Sequence, residues 1–279
     1  LQFIDSDKIY FAASDMEAMG LNTNSDIFQY NLEEKEVKAV TENLDKSLWA
    51  SVGNDCRMGA GKSHAVDGEQ FYFLTTEGYN TYLNVIGENG PERVIENEGT
   101  VDMFDVNKGK ILFIGFRDNK LQELYLYNEG EERQVSQFNE DVLADKMLST
   151  PEYFEVTTSD GCELDAWVMK PVGYQEGRKY PTIMEIHGGP KTAYGTIFFH
   201  EFQVLANQGY AIVFTNPRGS DGKGNEFADI RGGYGDRDYQ DLMETMDTAL
   251  DKFDFIDEDR LGVGGGSYGG YMTDRKSTR

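Results

Sequence analysis

Cysteine is nearly missing from this chain: Cys56 and Cys162 are the only two in 279 residues, far apart and without C-x-x-C spacing. That leaves no disulfide framework and no zinc-type ligand set, and no cofactor is expected. Basic residues are also scarce, 26 Lys and Arg against 50 Asp and Glu, which gives a formal charge of −24. Such a surface repels phosphate backbones and anionic lipids, so neither nucleic acid nor membrane is an expected partner. No apolar run approaches the ~20 residues that span a bilayer. Leu1-Gln2-Phe3-Ile4-Asp5 lacks both an initiator Met and the basic start of a signal peptide. The chain therefore starts as though cut, and a cytoplasmic location is expected. What it has in quantity is core material: 39% hydrophobic and 13% aromatic residues, enough for one large or two ordinary domains.

In the first half one pattern recurs. Lys8-Ile9-Tyr10-Phe11, Gln70-Phe71-Tyr72-Phe73 and Lys110-Ile111-Leu112-Phe113 each follow a turn rich in Asp, Asn or Gly and read as buried strands. Each leads through a polar loop to a second strand, at Ile27 to Tyr30, Tyr82 to Val85 and Leu124 to Tyr127. Tight turns then lead to short third strands at Val37 to Val40, Arg93 to Ile95 and Arg133 to Val135. The unit is an antiparallel meander. Phe71 and Ile111 are 40 residues apart, within the ~40–50 residue period of propeller blades, whereas Ile9 to Phe71 is 62 and requires an insertion or an extra strand. About three blades are expected, with a sandwich of hairpins as the alternative. Met58-Gly59-Ala60-Gly61-Lys62-Ser63 looks like the end of a phosphate-binding loop, but Cys56 stands where that motif needs glycine and a turn at Asp67-Gly68-Glu69 follows where a helix should. It reads as a blade connection, and His64 beside it as an ordinary surface or satisfied histidine.

From about Leu143 to Pro151 the repeat stops and strands begin to alternate with helical patterns, as in a doubly wound parallel sheet. A hairpin of Tyr153 to Thr158 with Leu164 to Lys170 leads it. Thr182 to Ile186 then runs into His187-Gly188-Gly189-Pro190, a helix is expected over Phe198 to Asn207, and the strand Tyr210 to Thr215 ends at Asn216-Pro217-Arg218-Gly219-Ser220. Leu242, Met246, Ala249 and Leu250 mark one face of a helix from about Asp238 to Lys252, which returns the chain to Leu261-Gly262-Val263.

That last strand opens into Gly264-Gly265-Gly266-Ser267-Tyr268-Gly269-Gly270, a G-x-S-x-G arrangement. In a nucleophile elbow a sharp strand-to-helix turn lifts the serine hydroxyl above the sheet, and only close-packed glycines fit beside it, here Gly265 and Gly269. Ser267 is the candidate nucleophile, with the Tyr268 N–H as one oxyanion donor and Gly188 and Gly189 of the HGGP loop as the others. His187 reads as structural, because hydrolases of this type place the base after the serine. Gly264, Gly266 and Gly269 also satisfy the dinucleotide pattern G-x-G-x-x-G, but that fingerprint needs an acidic residue about 20 positions later, and the chain stops ten residues after Gly269.

With HGGP, NPRGS and GGSYGGYM on successive strand ends, the chain resembles the prolyl oligopeptidase family of serine peptidases, its acylaminoacyl-peptidase branch most of all, with specific motifs over roughly Thr157 to Thr273. The resemblance implies cleavage of short peptides behind a propeller, by a serine that works with an aspartate and a histidine from later in the chain. Here His64, His187 and His200 all precede Ser267, and twelve residues follow it. Asp274 to Arg279 also departs from the apolar helix of the family and reads as a truncated or foreign tail. The expectation is a fragment of mixed fold class: a partial β-propeller over residues 1–148 and a truncated α/β-hydrolase domain over 149–279, inactive alone. An esterase and a non-catalytic propeller interaction module are the rival readings. No motif specifies cleavage-site preference or oligomeric state.

Overall fold

Short runs of β-branched and aromatic residues, punctuated by turns, make the first part of the chain a series of sheets. The computed structural model describes residues 1–17, 19–58 and 61–277. Gly59 and Ala60 of the phosphate-loop-like stretch, and Thr278 and Arg279 of the tail, lie outside the described residues. The strands are β1 (Gln2–Phe3), β2 (Lys8–Ala13), β3 (Asp26–Asn31), β4 (Glu36–Ala39), β5 (His64–Asp67), β6 (Gln70–Glu77), β7 (Asn80–Gly87), β8 (Gly90–Ile95), β9 (Met103–Asn107), β10 (Lys110–Gly115), β11 (Glu123–Asn128), β12 (Glu131–Gln134), β13 (Glu152–Thr157), β14 (Glu163–Met169), β15 (Tyr180–Ile186), β16 (Ala211–Thr215) and β17 (Ile256–Gly265). The helices are α1 (Glu140–Leu143), α2 (His200–Asn207), α3 (Gly224–Ala228), α4 (Arg237–Lys252) and α5 (Tyr268–Ser277). No described helix is long and apolar enough to cross a membrane.

One compact unit comprises Leu1–Val52, Arg57–Glu140 and Asp221–Glu226. Its sheets run β1-β2-β3-β4, β5-β6-β7-β8 and β12-β11-β10-β9, every neighbouring pair antiparallel. Each repeat is thus a meander of four strands, one more than the sequence pattern suggests. The added strands β1, β5 and β9 lead their sheets, and they are hard to see because they are short and bury at most two residues each. In β9 only Phe104 and Val106 are buried, alternating with exposed Asp105 and Asn107. Leu74, Leu83, Ile95, Val101, Ile111 and Phe113 form the heart of a core shared by the second and third sheets, each contributing roughly 1.5–3 kcal/mol by leaving water. Segment Asp221–Glu226 is held in this unit by polar contacts: Ser47 Oγ donates to Asp221 at 2.7 Å, and the Gly78 amide donates to the Gly222 carbonyl at 2.8 Å.

The second unit comprises Gly53–Cys56, Asp141–Ser220 and Phe227–Arg279. Its sheet has the order β13-β14-β16-β15-β17. The hairpin β13/β14 and the pair β14/β16 are antiparallel, and β15 lies parallel to both β16 and β17. Every residue of β16 is buried, as expected of an inner strand covered on both faces. On one face Val156, Leu164, Met184, Ile186 and Val213 pack with Leu242, Met246 and Ala249, the apolar stripe of α4. On the other Trp167 stacks on Phe214 at 5.3 Å, and Tyr194 and Phe202 close around the same ring at 5.3 and 4.8 Å. Strand β17 starts at Ile256, earlier than the apolar run Leu261 to Val263 indicates. Its register against β15 shifts between the Tyr180–Ile256 and Thr182–Leu261 pairs, so Asp257 to Arg260 form an irregular stretch with no apolar period to read.

Candidate active site

Gly264 and Gly265 end β17 beside Glu185 and Ile186, and the chain then turns through Gly266 and Ser267 into α5. Ser267 is exposed and holds φ +56, a left-handed conformation that a residue with a side chain adopts at a cost. The turn is pressed against the end of β15. A Cβ on Gly269 would lie 1.9 Å from the Ile186 carbonyl oxygen, and one on Gly265 would lie 2.6 Å from the same atom. A Cβ on Gly266 would meet nothing within 4 Å. Glycine is therefore required at 265 and 269 by backbone contact, as the motif led one to expect. The same closeness sets the HGGP loop beside the serine: the Cβ direction of Gly188 points at Ser267 Cβ, 3.3 Å away, with Ser267 Oγ at 3.9 Å. Tyr268 is the first residue of α5, where amides have no partner within the helix. Among the described residues the amides of Gly188 and Gly189 make no hydrogen bond either. Of the residues singled out from sequence, Gly188 thus lies against the exposed Ser267, Tyr268 follows it in the chain, and Gly189 is the next residue of the HGGP loop.

Three polar side chains of the Asn216–Ser220 loop, Asn216 and Ser220 buried and Arg218 partly so, hold this arrangement. Asn216 accepts from the Tyr194 amide at 2.7 Å and donates back to the Tyr194 carbonyl at 2.9 Å, fixing the chain just past HGGP. Arg218 reaches buried Asp241 of α4 at 2.7 and 3.0 Å and Asp160 of the β13–β14 turn at 2.7 Å. Those hydrogen bonds hold Asp160 far below the ordinary carboxylate range, Arg218 being the leading cause. Ser220 lies 3.0 Å from His187 Nε2. On its other side His187 Nδ1 is 2.7 Å from the Gly188 carbonyl, which can only accept; the proton therefore sits on Nδ1, and Nε2 accepts from Ser220. Burial pushes the His187 pKa down to about 4, so the ring is neutral and both nitrogens are occupied. His200 opens α2, whose first amides are capped by Asp55: His200 N and Glu201 N each donate to that carboxylate at 2.8 Å. Among the described residues no hydrogen bond joins Ser267 Oγ to either histidine of this unit.

Tyr268 is anchored from below. Its hydroxyl donates to Asp238 at 2.5 Å, and that carboxylate, wholly buried at the start of α4, also accepts from the Gly235 and Tyr239 amides at 3.1 and 3.0 Å. Burial first, and Asp238 next, push the Tyr268 phenol above its usual range. A cavity of about 610 Å³ adjoins the site, walled by Gly188, Gly189 and Gly264 and by Glu185, Tyr194 and Phe199. Among the described residues no group of three or more His, Cys, Asp or Glu is placed to hold a metal. Burial and Asp55 push the Cys56 thiol up to about 11, so it is no competing thiolate nucleophile.

Residues 196–275 match the Prolyl oligopeptidase family. Over 261 residues, 90% of this chain and 39% of the relative, the sequence is 37% identical to the uncharacterized peptidase YuxL of Bacillus subtilis (strain 168). The chain belongs to the prolyl oligopeptidase family. In three dimensions it matches the Pyrococcus horikoshii acylaminoacyl peptidase with a TM-score of 0.82 at 28% identity, over 97% of this chain and 41% of that one. An acylaminoacyl peptidase in complex with Z-Gly-Gly-Phe-chloromethyl ketone matches over the same shares with a TM-score of 0.84. This family member thus spans about two fifths of the length of the relatives it matches.

Three residues that frame the candidate site were not evident from sequence. Ser220 and Asp238 act through partners 33 and 30 positions away, so only the fold reveals them. Glu185 carried a signal, a lone carboxylate within the apolar run Thr182 to Ile186.

Proposed function

We propose that this chain carries the nucleophile and oxyanion hole of a serine peptidase that hydrolyses short peptides. The observation behind this reading is the elbow itself: Ser267 at φ +56, exposed, with Gly188 against its Cβ. In the proposed reaction Ser267 Oγ attacks the scissile carbonyl carbon while a base takes the hydroxyl proton. The carbonyl oxygen becomes an oxyanion held by the amides of Tyr268 and of Gly188 or Gly189. The amine then leaves with the proton, and water hydrolyses the acyl-enzyme by the same route. Each oxyanion donor is typically worth about 3 kcal/mol of barrier. The base is the piece this site does not supply, since His187 is neutral, buried and bonded on both nitrogens. The 279-residue polypeptide is therefore proposed to be inactive alone, losing on the order of 10⁶ in turnover without triad partners. The repeated four-stranded meanders are read as blades of a partial propeller within residues 1–148, and residues 149–279 as the leading part of an α/β-hydrolase domain. The peptidase relative and the peptide chloromethyl ketone on a structural neighbour support a peptide substrate.

The test joins Leu1 to Thr273 of this chain to the remaining hydrolase segment of a relative. The product is expected to cleave aminoacyl anilides faster than short-chain esters and to take a fluorophosphonate at Ser267, with Ser267→Ala abolishing both. An adduct mapped to another residue, or turnover that survives Ser267→Ala, overturns the reading. Peptide hydrolysis by the 279-residue chain that disappears with Ser267→Ala would instead return His187 to the role of base.

A further inference from the structure

Glu185 lies on β15 with 7% of its surface exposed, and among the described residues its carboxylate makes no hydrogen bond or ion pair. A buried carboxylate without a partner is costly to ionise, so such groups normally meet a donor or a cation. The neighbouring strand leaves room for it: a Cβ on Gly264 would fall 2.7 and 3.1 Å from the two Glu185 oxygens, so any larger residue there would displace the carboxylate. Glu185 faces the cavity of about 610 Å³ beside the HGGP loop, which Glu201 also lines and which has no Lys or Arg in its wall. Tyr194 and Phe199 supply aromatic surface. Asp55 already caps the first turn of α2, so no free helix N-terminus attracts an anion there.

We propose that this cavity is a binding site for an organic cation, a primary ammonium or guanidinium group, with the carboxylates of Glu185 and Glu201 as counter-ions and the rings of Tyr194 and Phe199 as walls. Cation and aromatic face attract each other electrostatically, most strongly where water is excluded. Among the described residues no three or more His, Cys, Asp or Glu side chains are grouped to hold a metal ion, which needs more ligands than two carboxylates, so the pair suits an ammonium better. A bound cation would rest against Gly188 and Gly189 and so next to the candidate nucleophile. The inference concerns binding alone and stands whether or not the peptidase reading does.

The site is expected to depend on pH. Burial, with Glu201 adding repulsion, pushes Glu185 up to about 7, so the anion that attracts the ligand develops as pH rises through neutrality. Of the other ionisable groups around it, Glu201 comes from α2, Asp55 caps that helix, Tyr194 is held a neutral phenol by burial, and His187 at the end of β15 is neutral. Strand β17 contributes only the glycines 264 and 265 to the wall.

The experiment titrates the 279-residue chain with benzylamine and with its neutral counterpart benzyl alcohol, by calorimetry and by ligand-observed NMR at pH 8 and pH 5.5. Benzylamine should bind saturably and at least tenfold more tightly than benzyl alcohol, and weaken about tenfold at pH 5.5. Glu185→Gln, nearly isosteric, should cost at least tenfold and remove the pH dependence. Glu201→Gln, at an exposed position that does not threaten folding, should cost a few-fold. Gly-Phe amide against its N-acetyl derivative, and N-acetyl-lysine amide, then distinguish a peptide amino terminus from a basic side chain as the source of the cation. Equal binding of benzylamine and benzyl alcohol, absence of saturable benzylamine binding, or unchanged affinity in both glutamate variants overturns the proposal.

Discussion

Replacing Gly269 by alanine should damage the fold out of proportion to one methyl group. The added Cβ would sit 1.9 Å from the Ile186 oxygen, 2.8 Å from the Ile186 carbonyl carbon and 2.9 Å from the His187 oxygen. Contacts of a Cβ below 3.0 Å essentially do not occur, so α5 and the end of β15 must part by at least 1.1 Å, the difference between 3.0 and 1.9. Neither side yields easily. Ile186 is 1% exposed and paired with Gly265 of β17, and the obstacles are backbone atoms that cannot change rotamer. Overpacking typically costs 1–3 kcal/mol, and a rigid wall argues for about 3. For a domain of this size that corresponds to a fall in Tm of roughly 6–12 °C. Gly266→Ala is the matched control, with nothing within 4 Å of the new methyl and no left-handed φ; it should change stability by less than about 0.5 kcal/mol. Thermal and urea unfolding followed by circular dichroism would decide. If the two variants melt within a degree or two of each other, the strand end and the helix are not in contact as described, and the close-packed elbow is wrong. In the completed hydrolase Gly269→Ala should also slow fluorophosphonate labelling by ~100-fold, the scale expected when reacting groups are misplaced by about 1 Å.

Arg218→Ala would leave the wholly buried Asp241 with the residue 218 amide at 3.0 Å and Arg237 at 3.8 Å and should cost about 3 kcal/mol in urea unfolding, with Arg218→Lys recovering only part because lysine cannot bridge both oxygens of the carboxylate; a loss below 1 kcal/mol would show the loop is held by other contacts. At the left-handed position of Ser267, Ser267→Gly should be more stable than Ser267→Ala by about 1 kcal/mol, since both lose the hydroxyl and only alanine keeps the strained Cβ; equal stabilities would contradict the strain. Glu185, pushed up from 4.5 to about 7, binds a proton in the fold that the unfolded chain has released, so its contribution is present on the acid side and lost as pH rises through 7. His187, pushed down from 6.5 to about 4, contributes above 6.5 and loses that contribution as pH falls toward 4. The two slopes oppose each other, so Glu185→Gln should stabilise by on the order of 2 kcal/mol at pH 8, should be near neutral at pH 5, and should lose stability on acidification more steeply than the parent; parallel pH profiles of the two proteins would refute the Glu185 assignment.

Local features of the chain were readable because they act locally. Gly265 and Gly269 flank Ser267 within two positions, and the turn they permit needs no distant information to infer. The same holds for the α4 stripe of Leu242, Met246 and Ala249 and for the apolar run of β16, where period and length suffice. Strands β1, β5 and β9 were missed because an edge strand with at most two buried residues gains its stability from the neighbour it pairs with, and pairing leaves little mark on composition. The Asn216–Ser220 loop lies between these cases. Its residues are an evident turn, yet their work is done at Tyr194, His187, Asp160 and Asp241, on four separate segments. Each of its buried polar groups is satisfied within the protein, which makes the loop a fixed frame. His187 is drawn into that frame by Ser220 and is thereby removed from acid–base chemistry, while the Gly188 and Gly189 amides beside it keep no internal partner among the described residues. An arrangement that spends the histidine on position and leaves the amides free fits the oxyanion role proposed for them, with Ser267, exposed and strained at the mouth of the elbow, as the proposed nucleophile.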